Sequence, residues 1–453
     1  ALDGANTFYI DYDITVDTTW SAGTYYNCIT EENQSPAIKP GATLTIESGS
    51  TVYFSSAANV MVNDGANRMA NCLTVNGTLI ADGLTFKALT GYEDSGWNGI
   101  QVLAAENGET ARVTLTGCTF QHAEFPVEVK ENAALGDDQS VNVTATNCVF
   151  SDPHYLNATG VYSHTVGSGT VSLTGCTFND YYYGVWVGHN NRADIDINVR
   201  GCTFNGTLKQ PIRIQGGQSA VVEDCIFNDI TGGMEGVVSI FTEYNETSDA
   251  VQTVTLTGNT FSGDASTDRY PAVVGARCQI NADVQTDAVT FTDDTYPTAY
   301  RYIKLDGNVG SNSTTNKKAE HAVWGITDIP YLVEGVKVFG KKDEINGYST
   351  LIIKPGVTVC LGNPGAELLI TGALTAEGTP EKHITFYLKD GAEWANGIAA
   401  GGDLEGNISL KYCDITGLNN GIRINAPGTA ADSAITIENC VIMSAAYPTE
   451  LKG

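Results

Sequence analysis

Five side chains able to bind or catalyse recur in the middle of short apolar strands: Gln101, Glu128, Tyr162, Trp186 and Arg213, with Val238 next in line. Alternate side chains of an extended strand point to opposite faces, so these residues face outward when their apolar neighbours are buried. Two positions further on, a second outward row reads Lys130, His164, Gly188 beside His189, and Gln215. Just before Trp186, the run Asp180, Tyr181, Tyr182, Tyr183 adds a carboxylate and three rings. Aromatic faces stack on sugar rings, while Glu, Gln and Arg supply in-plane hydrogen bonds and, for Arg, a bidentate grip on a uronate carboxylate. The candidate ligand-binding residues are therefore Glu128, Tyr162, His164, Asp180, Tyr182, Trp186, His189 and Arg213. Aromatics and charges of this kind also suit an ordinary exposed sheet, which they stabilise by cross-strand pairing.

Catalysis on the same strip asks for more. A polysaccharide lyase needs acidic calcium ligands with an Arg or Lys base, and a glycosidase needs two carboxyls about 5–9.5 Å apart. Glu128, Glu131, Asp180, Asp194 and Asp196 are available carboxyls, with Lys130 or Arg213 as bases, but they form no recognisable motif and receive no catalytic role. Asp64-Gly-Ala and Asp137-Asp138 are acidic turns that leave calcium open and unassigned. His122, His154, His164, His189, His321 and His383 are scattered over separate turns, so no metal triad and no other cofactor is expected.

The elements that position these residues follow from a recurring phrase. Leu115-Thr-Gly-Cys118-Thr-Phe120 returns as Ala145-Thr-Asn-Cys148-Val-Phe150, Leu173-Thr-Gly-Cys176-Thr-Phe178, Val199-Arg-Gly-Cys202-Thr-Phe204 and Val222-Glu-Asp-Cys225-Ile-Phe227. It continues as Leu256-Thr-Gly-Asn259-Thr-Phe261, and later as Leu410-Lys-Tyr-Cys413-Asp-Ile415 and Ile437-Glu-Asn-Cys440-Val-Ile442. Successive copies lie roughly 23–34 residues apart, a spread natural for stacked turns whose loops differ in length. Each phrase is followed by the short strand that carries the outward row, with no helical stretch between. Equivalent strands one turn apart must then lie parallel, about 4.8 Å from each other, in a right-handed coil. Five rungs make the strip about 15–20 Å long, the span of an extended ligand. Cysteine shares a face with the Phe or Ile two residues on, so the thiols are expected inside as a ladder of compact apolar groups. The Leu or Val three residues before the cysteine is out of phase with it, which a bend at the intervening Gly, Asn or Asp corrects.

These phrases make the chain resemble the right-handed pectate-lyase-like β-helix superfamily, and more closely the parallel β-helix repeat proteins of bacterial surfaces and secretions. The resemblance implies an all-β fold, a right-handed parallel β-helix solenoid. Lyases, hydrolases, adhesins and phage spikes share that architecture, so it leaves the activity open.

A larger duplication overlies the rungs. Ile38-Lys-Pro-Gly-Ala-Thr-Leu44 returns as Ile353-Lys-Pro-Gly-Val-Thr-Val359, Val75-Asn-Gly-Thr-Leu79 as Ile370-Thr-Gly-Ala-Leu374, and Trp97-Asn-Gly-Ile100 as Trp394-Ala-Asn-Gly-Ile398. These are expected to mark equivalent positions. The reading is a first module over 1–312, with an N-terminal cap at 1–27, and a duplicated, shorter second β-helix module over 313–453. The stretch from Val323 to Val336 is expected to repeat the capping role.

The composition narrows the function classes. The chain has 453 residues, with 24 basic against 52 acidic side chains and a net charge of −28. Such a field repels phosphate backbones, so nucleic acid is not an expected partner. No apolar run reaches the roughly 18–20 residues of a bilayer span, and the chain starts at Ala1 without a basic or hydrophobic leader, so any leader is expected to have been removed. High Thr, Asn, Gly and Asp, few Lys and a strongly acidic surface point to an extracellular or cell-surface protein. The expected function is a secreted or surface-displayed, non-catalytic scaffold, adhesin-like or glycan-binding, whose partner is a polysaccharide or host glycan. A polysaccharide-active enzyme using the 128–213 strip is the alternative. Head-to-tail self-association into a filament is a third reading, from the strand-like run Ala434 to Ile442.

Overall fold

The computed structural model describes residues 6–452 except 56–59, 63–66, 94–95, 105–107, 131–139, 154–157, 164–166, 188–192, 207–209, 216–218, 231–235, 241–252, 263–269, 282–288, 296–301, 311–318, 341–346, 402–403, 426–433 and 444–448. The chain divides into two compact units. The first comprises Ala1–Ser239, Glu243–Ser266 and Asp293–Pro297, and the second Ile240–Thr242, Thr267–Thr292 and Thr298–Gly453. The boundary expected near residue 312 lies outside the described residues.

One rung of the first unit shows how the sequence builds the coil. Ala111–Thr116 forms a strand of a first face, with Ala111, Val113 and Leu115 buried and Arg112, Thr114 and Thr116 exposed. Gly117 then takes a left-handed backbone, φ 58°. The expected bend is this residue: it resets the alternation, so that Leu115 and Cys118 both point inward. Only Gly, or Asn and Asp with their short polar side chains, visits that region readily, and the same corner is Asn147 (φ 53°), Gly175 (63°), Gly201 (58°), Asp224 (51°) and Gly258 (67°) on the following rungs. Tyr412 (49°) and Asn439 (53°) hold it in the second unit. Thr119–Gln121 forms a second face, His122 turns left-handed again (φ 60°), and Val127–Lys130 lies on a third face. Each strand pairs in parallel register with its counterpart one rung on, as Leu115 with Ala145, Phe120 with Phe150 and Val127 with Val161.

The interior follows from that register. Phe86, Phe120, Phe150, Phe178, Phe204, Phe227 and Phe261 stack in one column with centroids 4.8, 5.0, 4.6, 4.9, 5.1 and 5.0 Å apart. Beside them runs the cysteine ladder. All eleven cysteines are free thiols, and every one but the half-buried Cys440 is buried. Their Sγ atoms also donate to carbonyls one rung back: Cys176 to Ala145 (3.4 Å), Cys202 to Leu173 (3.6 Å) and Cys225 to Val199 (3.5 Å). The thiols are thus interior packing with a hydrogen-bonding task. A feature the sequence reading missed lies on the second face, where Asn205 Nδ2 donates to Asn179 (2.9 Å) and Asn228 Nδ2 to Asn205 (3.0 Å), an amide ladder along successive strand ends.

The region read as a cap already contributes strands. Thr7–Ile10 and Thr24–Asn27 pair on the second face and Thr18–Trp20 on the first, while Phe8 and Trp20 stack on either side of Tyr25 at 5.0 and 4.6 Å.

The second unit repeats the three faces. Ala373–Glu377, Ile384–Leu388 and Gly397–Ala400 are consecutive strands of its first, second and third faces. Its third face is a five-stranded parallel sheet of Val336–Val338, Glu367–Ile370, Gly397–Ala400, Gly421–Asn425 and Thr449–Lys452. His321–Trp324 and Tyr331–Val333, within and beside the stretch read as a second cap, pair with Thr350–Ile353 and Thr358–Leu361. Two of the three repeated motifs fall at like places in the face order of their own units. Val75 and Ile370 both end third-face strands, and Trp97 and Trp394 both precede them. The Ile-Lys-Pro-Gly motif does not match: Ile38 ends a third-face strand, whereas Ile353 ends a first-face strand. A tight Pro-Gly turn serves either corner. Within the Trp motif, Trp97 is fully buried on Phe54 at 4.3 Å. The extra Ala395 is fully buried instead, and Trp394 is turned out to solvent.

Among the described residues no helix is long and apolar enough to cross a membrane.

Candidate functional site

The third face of the first unit carries the predicted row. The register of Gly99–Leu103, Val127–Lys130, Thr159–Ser163, Tyr183–Val187 and Gln210–Ile214 places Gln101, Glu128, Tyr162, Trp186 and Arg213 in one column on consecutive rungs. The residues on either side of each point inward and are buried: Ile100 and Val102, Val127 and Val129, Val185 and Val187, Ile212 and Ile214. Alternation therefore forces the column outward, as the sequence implies.

Contacts join neighbours at both ends of the column. Gln101 Nε2 donates to Glu128 Oε2 at 3.0 Å. Tyr162 meets Trp186 with ring centroids 4.9 Å apart, and the Arg213 guanidinium lies 4.7 Å from the Trp186 centroid, a cation–π contact. Arg213 Nη1 also donates to the Tyr183 hydroxyl at 3.2 Å, and Tyr183 meets Trp186 at 4.8 Å. Trp186 Nε1 donates to Gln215 Oε1 at 2.9 Å, which joins the second predicted row to the first. Tyr162, Trp186 and Arg213 are half-buried. Burial raises the Tyr162 phenol above its ordinary pKa, with the Glu128 carboxylate adding to the rise and Arg213 opposing it.

Other predicted members fall elsewhere. Glu128 belongs to the outward row but does not face solvent: only 7% of it is exposed. Gln101 holds its carboxylate and Lys130 Nζ lies 3.7 Å from it, because a charge left on a crowded sheet face is stabilised by partners instead of water. Val238, the apolar end of the row, is fully buried. Tyr182 packs edge-on against Tyr183 at 4.8 Å. Asp180 is the exposed, left-handed corner residue (φ 62°) between the second and third faces. A Cβ placed on Gly206, one rung on, would stand 2.4 Å from its Oδ1, so the carboxylate occupies the space above that glycine. His164, Gly188, His189, Glu131, Asp64, Asp137, Asp138 and His154 lie outside the described residues. The sequence reading missed Phe125, which stacks on Tyr162 at 5.5 Å; its place beside Pro126, at the start of the strand, was the available signal.

Among the described residues, the candidate carboxylates do not converge. Glu128 is on the third face, Asp180 on a corner, and Asp196 on the first face, where it accepts from Ser219 Oγ at 2.5 Å. Of the described histidines, His321 bonds Thr350 at 2.8 Å and His383 bonds Asp414 at 3.0 Å. Among the described residues no three His, Cys, Asp or Glu side chains gather closely enough to hold a metal ion. The arrangement can present ring edges and a guanidinium, with their polar atoms held in place, along several rungs of a rigid face.

No curated protein matches the chain. Residues 98–273 match a family described as "Right handed beta helix region", a stretch that includes the whole column from Gln101 to Gln215. That match and the in-register parallel faces give the chain the fold of a right-handed parallel β-helix.

Proposed function

We propose that the chain is an extracellular, non-catalytic β-helix scaffold that binds an extended glycan along the third face of its first unit. The observation that carries this reading is the column itself: Tyr162, Trp186 and Arg213 stand half-buried, in register, on three successive rungs. A solenoid repeats its surface at the rise of one rung, about 4.8 Å, so a polymer with its own repeat can meet one rung after another. Glu128 already has Lys130 and Gln101 as partners, so the cationic and aromatic groups give the patch its character within a chain of net charge −28. The scattered carboxylates favour binding over glycoside hydrolysis, which needs two of them across one bond.

The test is a glycan array probed with the parent chain, Trp186→Ala and Arg213→Gln, run beside assays for reducing sugar and for unsaturated uronide products. Retention by the parent, weakened in both variants and without product, is the expected outcome. Product formation by the parent would replace the binding reading with an enzymatic one.

A further inference from the structure

The third face of the second unit holds another group of residues suited to sugar. Of the five tryptophans, Trp20, Trp97 and Trp324 are buried and Trp186 is built into the column, whereas Trp394 leaves 42% of its surface in solvent. Its rim leans over Gly365, where an added Cβ would stand 3.4 Å from the Trp394 Cη2. The Gly365 carbonyl accepts from Asn396 Nδ2 at 3.3 Å, and the same amide lies 3.4 Å from Glu367 Oε2. That carboxylate oxygen in turn accepts from Arg423 Nη2 at 2.6 Å.

The glycines explain how Arg423 reaches Glu367. Glu367, Gly397 and Gly421 are register partners on three successive rungs, so no side chain stands between the acid and the strand that carries Arg423. Ala399, the residue between them in the Arg423 column, is small and buried. The result is one connected group: a ring edge over Gly365, and a carboxylate, an amide and a guanidinium joined by hydrogen bonds at Glu367, Asn396 and Arg423. The guanidinium Nε is buried and has no hydrogen-bond partner among the described residues.

We propose that Trp394, Asn396, Glu367 and Arg423 form a binding site for a neutral pyranose. The apolar face of the sugar lies on the indole, and vicinal hydroxyls bond the Glu367 carboxylate, which has spare acceptor capacity, and the Asn396 amide. The Arg423 charge is matched by Glu367 inside the cluster, so the site carries no surplus cation for an acidic sugar. The site belongs wholly to the second unit and does not depend on the reading of the first.

The test uses the full chain carrying Trp186→Ala, which weakens the first-unit column, and every Trp394 variant is compared within that background. It is titrated with gluco-, manno-, galacto- and xylo-oligosaccharides and with a galacturonate oligomer, followed by indole fluorescence and calorimetry. Saturable binding of at least one neutral oligosaccharide is expected, with a loss of tenfold or more on adding Trp394→Ala and partial recovery in Trp394→Phe. Thermal melting of the Trp394 variants should match that of their parent, since the ring is exposed. The proposal is overturned if no neutral oligosaccharide saturates, if only the galacturonate oligomer binds, or if Trp394→Ala binds like its parent.

Discussion

The carboxamide of Asn259 stands where five preceding rungs place a thiol, and its Oδ1 accepts the backbone N–H of Cys225 at 3.0 Å. Its Nδ2 donates to the Val222 carbonyl at 2.9 Å, the acceptor position that the thiols of Cys176, Cys202 and Cys225 use on their own rungs, and also to Asp294 Oδ1 at 2.9 Å. One column thus accepts either side chain because both supply a donor to the same carbonyl.

Asn259→Ala strips the Cys225 N–H and the Val222 carbonyl of these partners in a buried setting. Each unsatisfied group costs about 1–3 kcal/mol. The urea midpoint should fall clearly, and Asn259→Cys, which restores the donor to Val222, should recover a substantial part of the loss. Equal midpoints for Asn259→Ala and the parent would remove the amide's role.

The thiol ladder makes stability sensitive to alkali. Burial, with a contribution from Asp11, pushes Cys28 up to about 12 from 9.0. At Cys202 the Cys176 thiol pulls the value down, while the Cys225 thiol and burial pull it up further, again to about 12. A thiol with a raised folded value keeps its proton when the unfolded chain has lost it, so the folded state holds more protons between about pH 9 and 12. The stabilisation is complete below 9 and is lost as pH rises through 12. Urea midpoints measured from pH 8 to 11 should decline above 9, and a flat profile would contradict the burial of these groups. In native protein at pH 8, a thiol reagent should reach the half-buried Cys440 first, and all eleven cysteines only after denaturation.

Gly206 and Gly201 separate two costs. Both are left-handed, at φ 62° and 58°, but an added Cβ meets Asp180 at the first and nothing within 4 Å at the second. Gly201→Ala should cost the backbone strain alone, about 1–2 kcal/mol. Gly206→Ala should cost more, and combining it with Asp180→Ala should return it toward the Gly201→Ala level. Identical melting temperatures for the two single variants would show that the carboxylate yields freely.

Trp186→Ala should weaken glycan retention and also lower stability, by about 1–2 kcal/mol, because the ring contacts Tyr162, Tyr183, Arg213 and Gln215. Its outward position alone would suggest a negligible effect. Calorimetric melting of Trp186→Ala and Trp186→Phe separates the two terms, with the phenylalanine keeping most of the stability.

The coil was legible in the sequence because its determinants are local. A strand's alternation, a left-handed Gly, Asn or Asp before the cysteine of each first-unit phrase and a phenylalanine two residues after it define one rung, and repetition does the rest. The outward column from Gln101 to Arg213 was legible for the same reason, since period two assigns faces. What alternation does not contain is the neighbour across a rung. It placed Glu128 in water without the Gln101 and Lys130 that enclose it, and it grouped Asp180 with the strip although its left-handed backbone puts it on a corner above Gly206. The amide ladder of Asn179, Asn205 and Asn228 went unread because Asn next to a turn residue is common in any loop-rich chain. The Ile-Lys-Pro-Gly motif misled because it records a turn type and not a location.

The contrast between Trp97 and Trp394 bears on how such a chain acquires specificity. Counting back from the shared Asn-Gly-Ile, the buried place that Trp97 holds in the first motif belongs to Ala395 in the second, and Trp394 stands one residue earlier, exposed. One residue of phase before the same three residues therefore decides whether an indole lies inside the coil or on its surface.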